Sequence, residues 1–406
     1  MKICSRFLAF LFVVALVGCS KNVDDISKDD GGVVLDPNSR YIHFYSEVSS
    51  RGALVEGTSL TDDFAVLGYQ YRGDWETESV MARPNVFYKS DVKSEANLAL
   101  PQMVTYNEGL GIFEYTPIQA WTGNKYSFFG YYPSSHSNIK LFGDGDVKSG
   151  SPYINFTLPA DADSRKLIDV MTAAYVDTGV SSSPSVNLNF RHRLAAIDVG
   201  ARNYYDYDLD GSPATVNDVV PVTIEITKLA VTLENIVNSG ANIYLDDQIP
   251  TEYIKSSPVL HKSYPMVGTA SWTEPTFDVI PNTKEDRSMR IISTQSGANA
   301  SSLLLIPQTE LLHGTMELTY KKKRKANPGD TEWLYQKANG DWVYRTAGDL
   351  ENDFLYSPDL NVNFSKELGE GRRYYIELTF TSDAVSVNII AADEWNTLPD
   401  VKHEFE

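Results

Sequence analysis

The chain has little cysteine and little histidine. Across 406 residues there are two cysteines, Cys4 and Cys19, and six histidines. Both cysteines stand within the first twenty residues, so the rest of the chain has no disulfide and no thiol chemistry. Its core must supply the stability alone. A chain this long can bury one, and its length suggests two domains. The histidines (43, 136, 192, 261, 313 and 403) are scattered, and none lies at metal-ligand spacing from another. HExxH, GxSxG, a P-loop and a Cys/His pair are all absent. His192, in Phe190-Arg191-His192-Arg193-Leu194, is therefore expected to be a hydrogen-bonded strand histidine rather than a lone base. Positive charge is also short: the net charge is −19, and nucleic acid phosphates would be repelled by such a surface. No long stretch carries a helical period. The unbroken apolar run from Phe7 to Val17 is too short for a bilayer, which needs about 20 helical residues.

That run reads as a signal-peptide core, with Lys2 and Arg6 before it. It ends in Leu16-Val17-Gly18-Cys19, which resembles the bacterial lipobox. Residues 1–18 are then the signal peptide, and Cys19 receives the lipid. Acyl chains on one cysteine anchor at roughly 0.8 kcal/mol per buried methylene. Residues 19–39 are rich in Asp, Gly, Lys and Ser and read as a flexible tether. Asp24 and Asp25, soon after Cys19, are compatible with surface export.

From Tyr41 onward the pattern is β. Tyr41–Tyr45, Phe64–Tyr69 and Lys125–Tyr132 are aromatic or apolar runs. Val186-Asn187-Leu188-Asn189-Phe190, Thr223–Ile226 and Tyr375–Phe380 alternate with a period of two. Gly, Pro, Asn and Asp break these runs at short intervals. The expectation is an all-β chain of two tandem sandwich domains, residues 40–195 and 196–406. The basic run Lys321–Lys325 precedes Asn327-Pro328-Gly329 and reads as the exposed end of a hairpin. Asp206-Tyr207-Asp208-Leu209-Asp210-Gly211 has the D-x-D-x-D-G form of a calcium loop. Its twelfth position is Asn217 rather than an acid, Pro213 stands at the eighth, and no helix flanks it. Ca²⁺ bound by Asp206, Asp208 and Asp210 and a solvated acidic turn both stay open. No other cofactor is expected.

Several local patterns resemble the fimbrillin family, the pilin-like lipoproteins of Bacteroidetes. Trp121-Thr122-Gly123 through Tyr131-Tyr132-Pro133 is similar to its W-x-G-x-x-Y-x-F-x-A-Y-Y-P stretch, with Gly130 where the family often has Ala. Asp169-Val170-Met171-Thr172-Ala173 resembles its D-hydrophobic-M-x-A block. The run Val186, Leu188, Phe190, His192, Leu194-Ala195, Ile197, Val199 resembles the single strand that follows. Ser50-Arg51-Gly52-Ala53 resembles its T-R-A, and Val385–Ile389 with Trp395 its last strand. The resemblance implies two transthyretin-like β-sandwiches, outer-membrane lipoprotein export and fimbrial assembly supporting adhesion, without catalysis. It also implies cleavage between Arg51 and Gly52, which would remove a first strand within residues 40–51. Arg40 is a second basic site, but a cut there would leave the strand in place. The vacated groove would take a strand from a neighbouring subunit, identical or different. Val401, His403 and Phe405 alternate near the carboxyl end and are the candidate donor.

Two other readings come from different classes. One is a monomeric surface lipoprotein that keeps its first strand and binds a host glycan or protein, with Trp333, Tyr335, Trp342 and Tyr344 as an aromatic platform. The plainer reading of those aromatics is hairpin packing. The other is a surface hydrolase, which would need carboxylates converging in a cleft.

Overall fold

The structure is a computed structural model that describes residues 41–48, 60–72, 100–141 (except 123), 152–159, 168–178, 185–209, 219–246 (except 238 and 239) and 303–392 (except 383), with four short strands between 252 and 291. Apart from a 3-10 turn at Glu351–Phe354, the regular elements of the described residues are all strands, numbered here in chain order. One sheet runs β1 (His43–Val48), β9 (Ser185–His192), β8 (Met171–Thr178), β5 (Lys125–Tyr132), β2 (Phe64–Tyr71), β3 (Gln102–Asn107) and β4 (Ile112–Glu114). A second runs β18 (Arg290–Ile291), β10 (Ala195–Asn203), β24 (Arg373–Phe380) and β25 (Val385–Ala392), with β19 (Leu303–Leu305) also on β10. A third runs β16 (Lys262–Pro265), β13 (Thr223–Ile236), β20 (His313–Lys325), β21 (Trp333–Gln336) and β22 (Trp342–Tyr344). β17 (Phe277–Val279) joins it on β13 and β23 (Asp359–Asn363) on β20. A fourth runs β15 (Glu252–Tyr253), β14 (Ala241–Tyr244), β7 (Tyr153–Phe156) and β6 (Ile139–Leu141). β11 (Asp206–Asp208) and β12 (Val219–Pro221) form a small ribbon.

Sequence period explains which faces are covered. In β9, Val186, Leu188, Phe190 and His192 are buried, while Asn187, Asn189 and Arg191 are exposed. That is the signature of a strand covered on one side. β2 and β5 lack such alternation because the sheet is covered on both sides there. Phe64, Val66, Tyr126 and Phe128 enter one core, with Phe44, Val186 and Phe190. Ala65, Leu67, Tyr69 and Phe129 enter a second, larger core that extends to Ile197, Ile224, Leu318 and Ile376. Residues on either side of position 195 therefore share a core, and β7 pairs antiparallel with β14 across that position.

The paired strands β13 and β20 approach closely at Gly314, which lies opposite Leu233. A Cβ built there would lie 1.9 Å from the Thr232 carbonyl oxygen. Gly314→Ala is expected to force β13 and β20 apart and to cost about 1–3 kcal/mol. Chemical denaturation measures it, and an unchanged midpoint would show that the strand pair yields freely.

Candidate functional site

The end strand β1 is held unlike any other strand of its sheet. It pairs in parallel with β9, from His43 opposite Ser185 to Val48 opposite Phe190. Parallel neighbours cannot be joined by a tight turn, and here some 140 residues of chain separate them. Ile42, Phe44, Ser46 and Val48 point inward, whereas Tyr45 and Glu47 are exposed. Phe44 packs edge-on against Tyr115 and Phe128, with ring centres 5.4 and 5.5 Å away.

The sheet curls so that its two ends approach each other at β1. Ile42 N–H donates to Gln119 O (2.9 Å), and Tyr115 Oη donates to Ile42 O (2.8 Å). Burial pushes the Tyr115 phenol up in pKa, so it stays protonated and keeps donating; an N–H bond from Gln119 opposes this. Ser46 Oγ donates to Leu60 O at 2.7 Å in the interior. β1 thus plugs a slot between β9 and the segment after β4. Gly130 lies under that slot: a Cβ there would come within 2.9 Å of Phe190 and 3.2 Å of Leu188. Phe190 occupies the space that an alanine would need. Tyr115, Gln119 and Leu60 carry no local signal; only the curl of the sheet brings them to β1.

The other expected sites fall as follows. Cys19, Arg51, Gly52, Asp210, Val401, His403 and Phe405 lie outside the described residues. Asp206 and Asp208 are on β11, which pairs with β12. Among the described residues no three His, Cys, Asp or Glu side chains are grouped to hold a metal. His192 is a bonded strand histidine: its Nδ1 is 2.9 Å from Asp169 Oδ1, and both residues are buried.

The basic run corrects an expectation. Lys325 pairs with Trp333 at a hairpin end, but Lys321, Lys323 and Arg324 are buried rather than exposed. Glu225, on the neighbouring β13, meets Lys321 at 3.5 Å and Lys323 at 3.2 Å. The Arg324 guanidinium lies 4.0 Å from the Tyr207 ring centre and 4.9 Å from that of Trp342. Nor do the four hairpin aromatics make one platform. In the register Leu334–Tyr344 and Gln336–Trp342, Trp342 and Tyr344 share one face while Trp333 and Tyr335 share the other. Trp333 sits under Lys325, and Trp342 packs on Tyr207. This is hairpin packing.

The fimbrillin-like family matches residues 86–393, most of the described chain. The chain belongs to the fimbrillin-like family. Fimbrillin-like proteins are fimbrial, adhesion-related subunits of the cell surface, structural rather than enzymatic. A fimbrial protein from Bacteroides vulgatus is similar in fold, with 16% identity and a TM-score of 0.54, covering 88% of this chain and 99% of that one. The tip fimbrial protein Mfa3 from Porphyromonas gingivalis, truncated at its carboxyl end, is 9% identical over 87% of this chain and 99% of that one, with a TM-score of 0.32. No curated protein matches the chain.

Proposed function

We propose that this chain is a fimbrial subunit anchored through Cys19 and assembled by donor-strand exchange after cleavage at Arg51. The observation that carries the proposal is the seating of β1. It is an end strand whose ladder runs along β9 alone, with a single bridge at Tyr41 to Ala120 on its other side. It is remote in sequence from β9, and its inner face carries Ile42, Phe44 and Val48 around the small Ser46. Its loss would leave the N–H and C=O groups of β9 and the pockets of Phe44 and Val48 without occupants, which is what a second strand needs. The contact is head-to-tail and does not close, so it propagates as a fibre. Its partners are further pilus subunits, the outer membrane through the lipid, and a host protein or glycan at the exposed surface. The chain is read as two tandem sandwiches, residues 40–195 and 196–406, joined by a shared core and by the β7–β14 pairing across the boundary. Strand exchange calls for no cofactor; the acidic turn at Asp206–Gly211 is read as solvated, and added Ca²⁺ should leave the melting temperature unchanged.

Limited trypsin on residues 20–406 tests the assembly. A cut after Arg51 should yield oligomers that resist mild SDS, and Arg51→Ala should abolish both cut and oligomers. A clean cut with no oligomer would instead favour a monomeric surface protein that binds glycan or protein ligands.

A further inference from the structure

The pockets that β1 fills differ in size along their length, and this gives a donor strand a direction. Phe44 needs the widest space, between the Tyr115 and Phe128 rings. Ser46 is small and polar, and Val48 is a branched aliphatic near the end of the slot. The candidate donor carries Val401, His403 and Phe405 at the same spacing of two. It can enter in two ways. His403 takes the place of Ser46 in either direction, so the flanking residues decide.

Entry parallel to β9, as β1 runs, would put Val401 in the Phe44 pocket and Phe405 in the Val48 pocket. The first leaves unfilled space between two rings and the second overfills, and both destabilise. The same register puts Pro399 at the position of Ile42, whose N–H donates to Gln119 O at 2.9 Å. Proline has no N–H to give. Entry antiparallel to β9 puts Phe405 in the Phe44 pocket and Val401 in the Val48 pocket. Pro399 then falls at position 50, beyond the end of β1. Antiparallel pairing is also slightly the more stable per residue.

We propose that residues 401–405 of a second copy of this chain enter the β1 slot antiparallel to β9, with Phe405 in the pocket of Phe44. The inference rests on the donor-strand reading above. It also gives the exchange a direction: a parallel strand held by covalent connection is replaced by a better-paired antiparallel one.

Cysteine pairs test the polarity. Asn187 and Asn189 are exposed on β9, opposite Tyr45 and Glu47. In the antiparallel register Glu404 comes opposite Asn187 and Lys402 opposite Asn189. The parallel register exchanges these partners. The full chain carrying Cys4→Ser and Cys19→Ser has no other thiol. On that background, Asn187→Cys with Glu404→Cys, cut after Arg51 and oxidised, should give a ladder of disulfide-linked oligomers on non-reducing gels. Asn187→Cys with Lys402→Cys should give several-fold less, and the uncut chain none. A ladder from the second pair alone would overturn the polarity and leave strand exchange standing. SDS-resistant oligomers with no crosslink from either pair would overturn this donor. Cleavage without oligomers would overturn the donor-strand reading itself.

Discussion

Arg202→Ala is expected to destabilise the chain by about 3–5 kcal/mol, seen as a lower denaturation midpoint. Arg202 Nε donates to Glu377 Oε1, and Glu377 is fully buried. The pair spans the eight-residue parallel ladder between β10 and β24. Glu377 stands opposite Gly200, so there is room for its carboxylate to reach diagonally to Arg202. Asp198 and Arg373 repeat the arrangement at 3.3 Å, with Arg373 opposite Ala196. Removing the guanidinium strands a carboxylate where water cannot solvate it, and this penalty exceeds the net worth of the pair. Replacing both partners together, Arg202→Met with Glu377→Leu, should recover most of the loss. If the single variant matched wild type, water would have to reach Glu377.

Phe44→Ala is expected to cost the uncut chain about 3–5 kcal/mol, the usual range for emptying a buried aromatic site. Phe44 is 2% exposed and contacts two rings that have little freedom to close the gap. The same variant separates a fixed strand from a removable one. Once β1 is cut away and replaced, residue 44 has left the protein, so assembled oligomers of the variant should dissociate in denaturant at the wild-type concentration. Oligomers as weakened as the uncut chain would mean that β1 stays in its slot.

Much of the fold was legible along the chain. The alternation of Val186 to His192 marked a strand covered on one side, and burial follows it residue by residue. The aromatic run from Lys125 to Tyr132 marked core strand, and Tyr126 to Tyr131 are buried. The Tyr41–Val48 run marked the first strand, most of which is β1. Charge was less legible. Lys321, Lys323 and Arg324 look like a solvated patch, because local sequence does not show that Glu225, Tyr207 and Trp342 fold against them. The four hairpin aromatics look like one cluster until the register of β21 and β22 divides them between two faces.

The sequence by itself determined the β class of the described residues, the inward face of an alternating strand such as β9, and the family to which the chain belongs. Each follows from interactions over a few residues, where side chains alternate with the pleat. Tertiary structure alone decided that β1 lies parallel to β9, that Tyr115 and Gln119 close over it, and that Glu377 meets Arg202. These partners are more than seventy residues apart. A two-residue slip in register would preserve every inward-facing position, so periodicity cannot choose among pairings. Size, charge and the curl of the closing sheet make that choice.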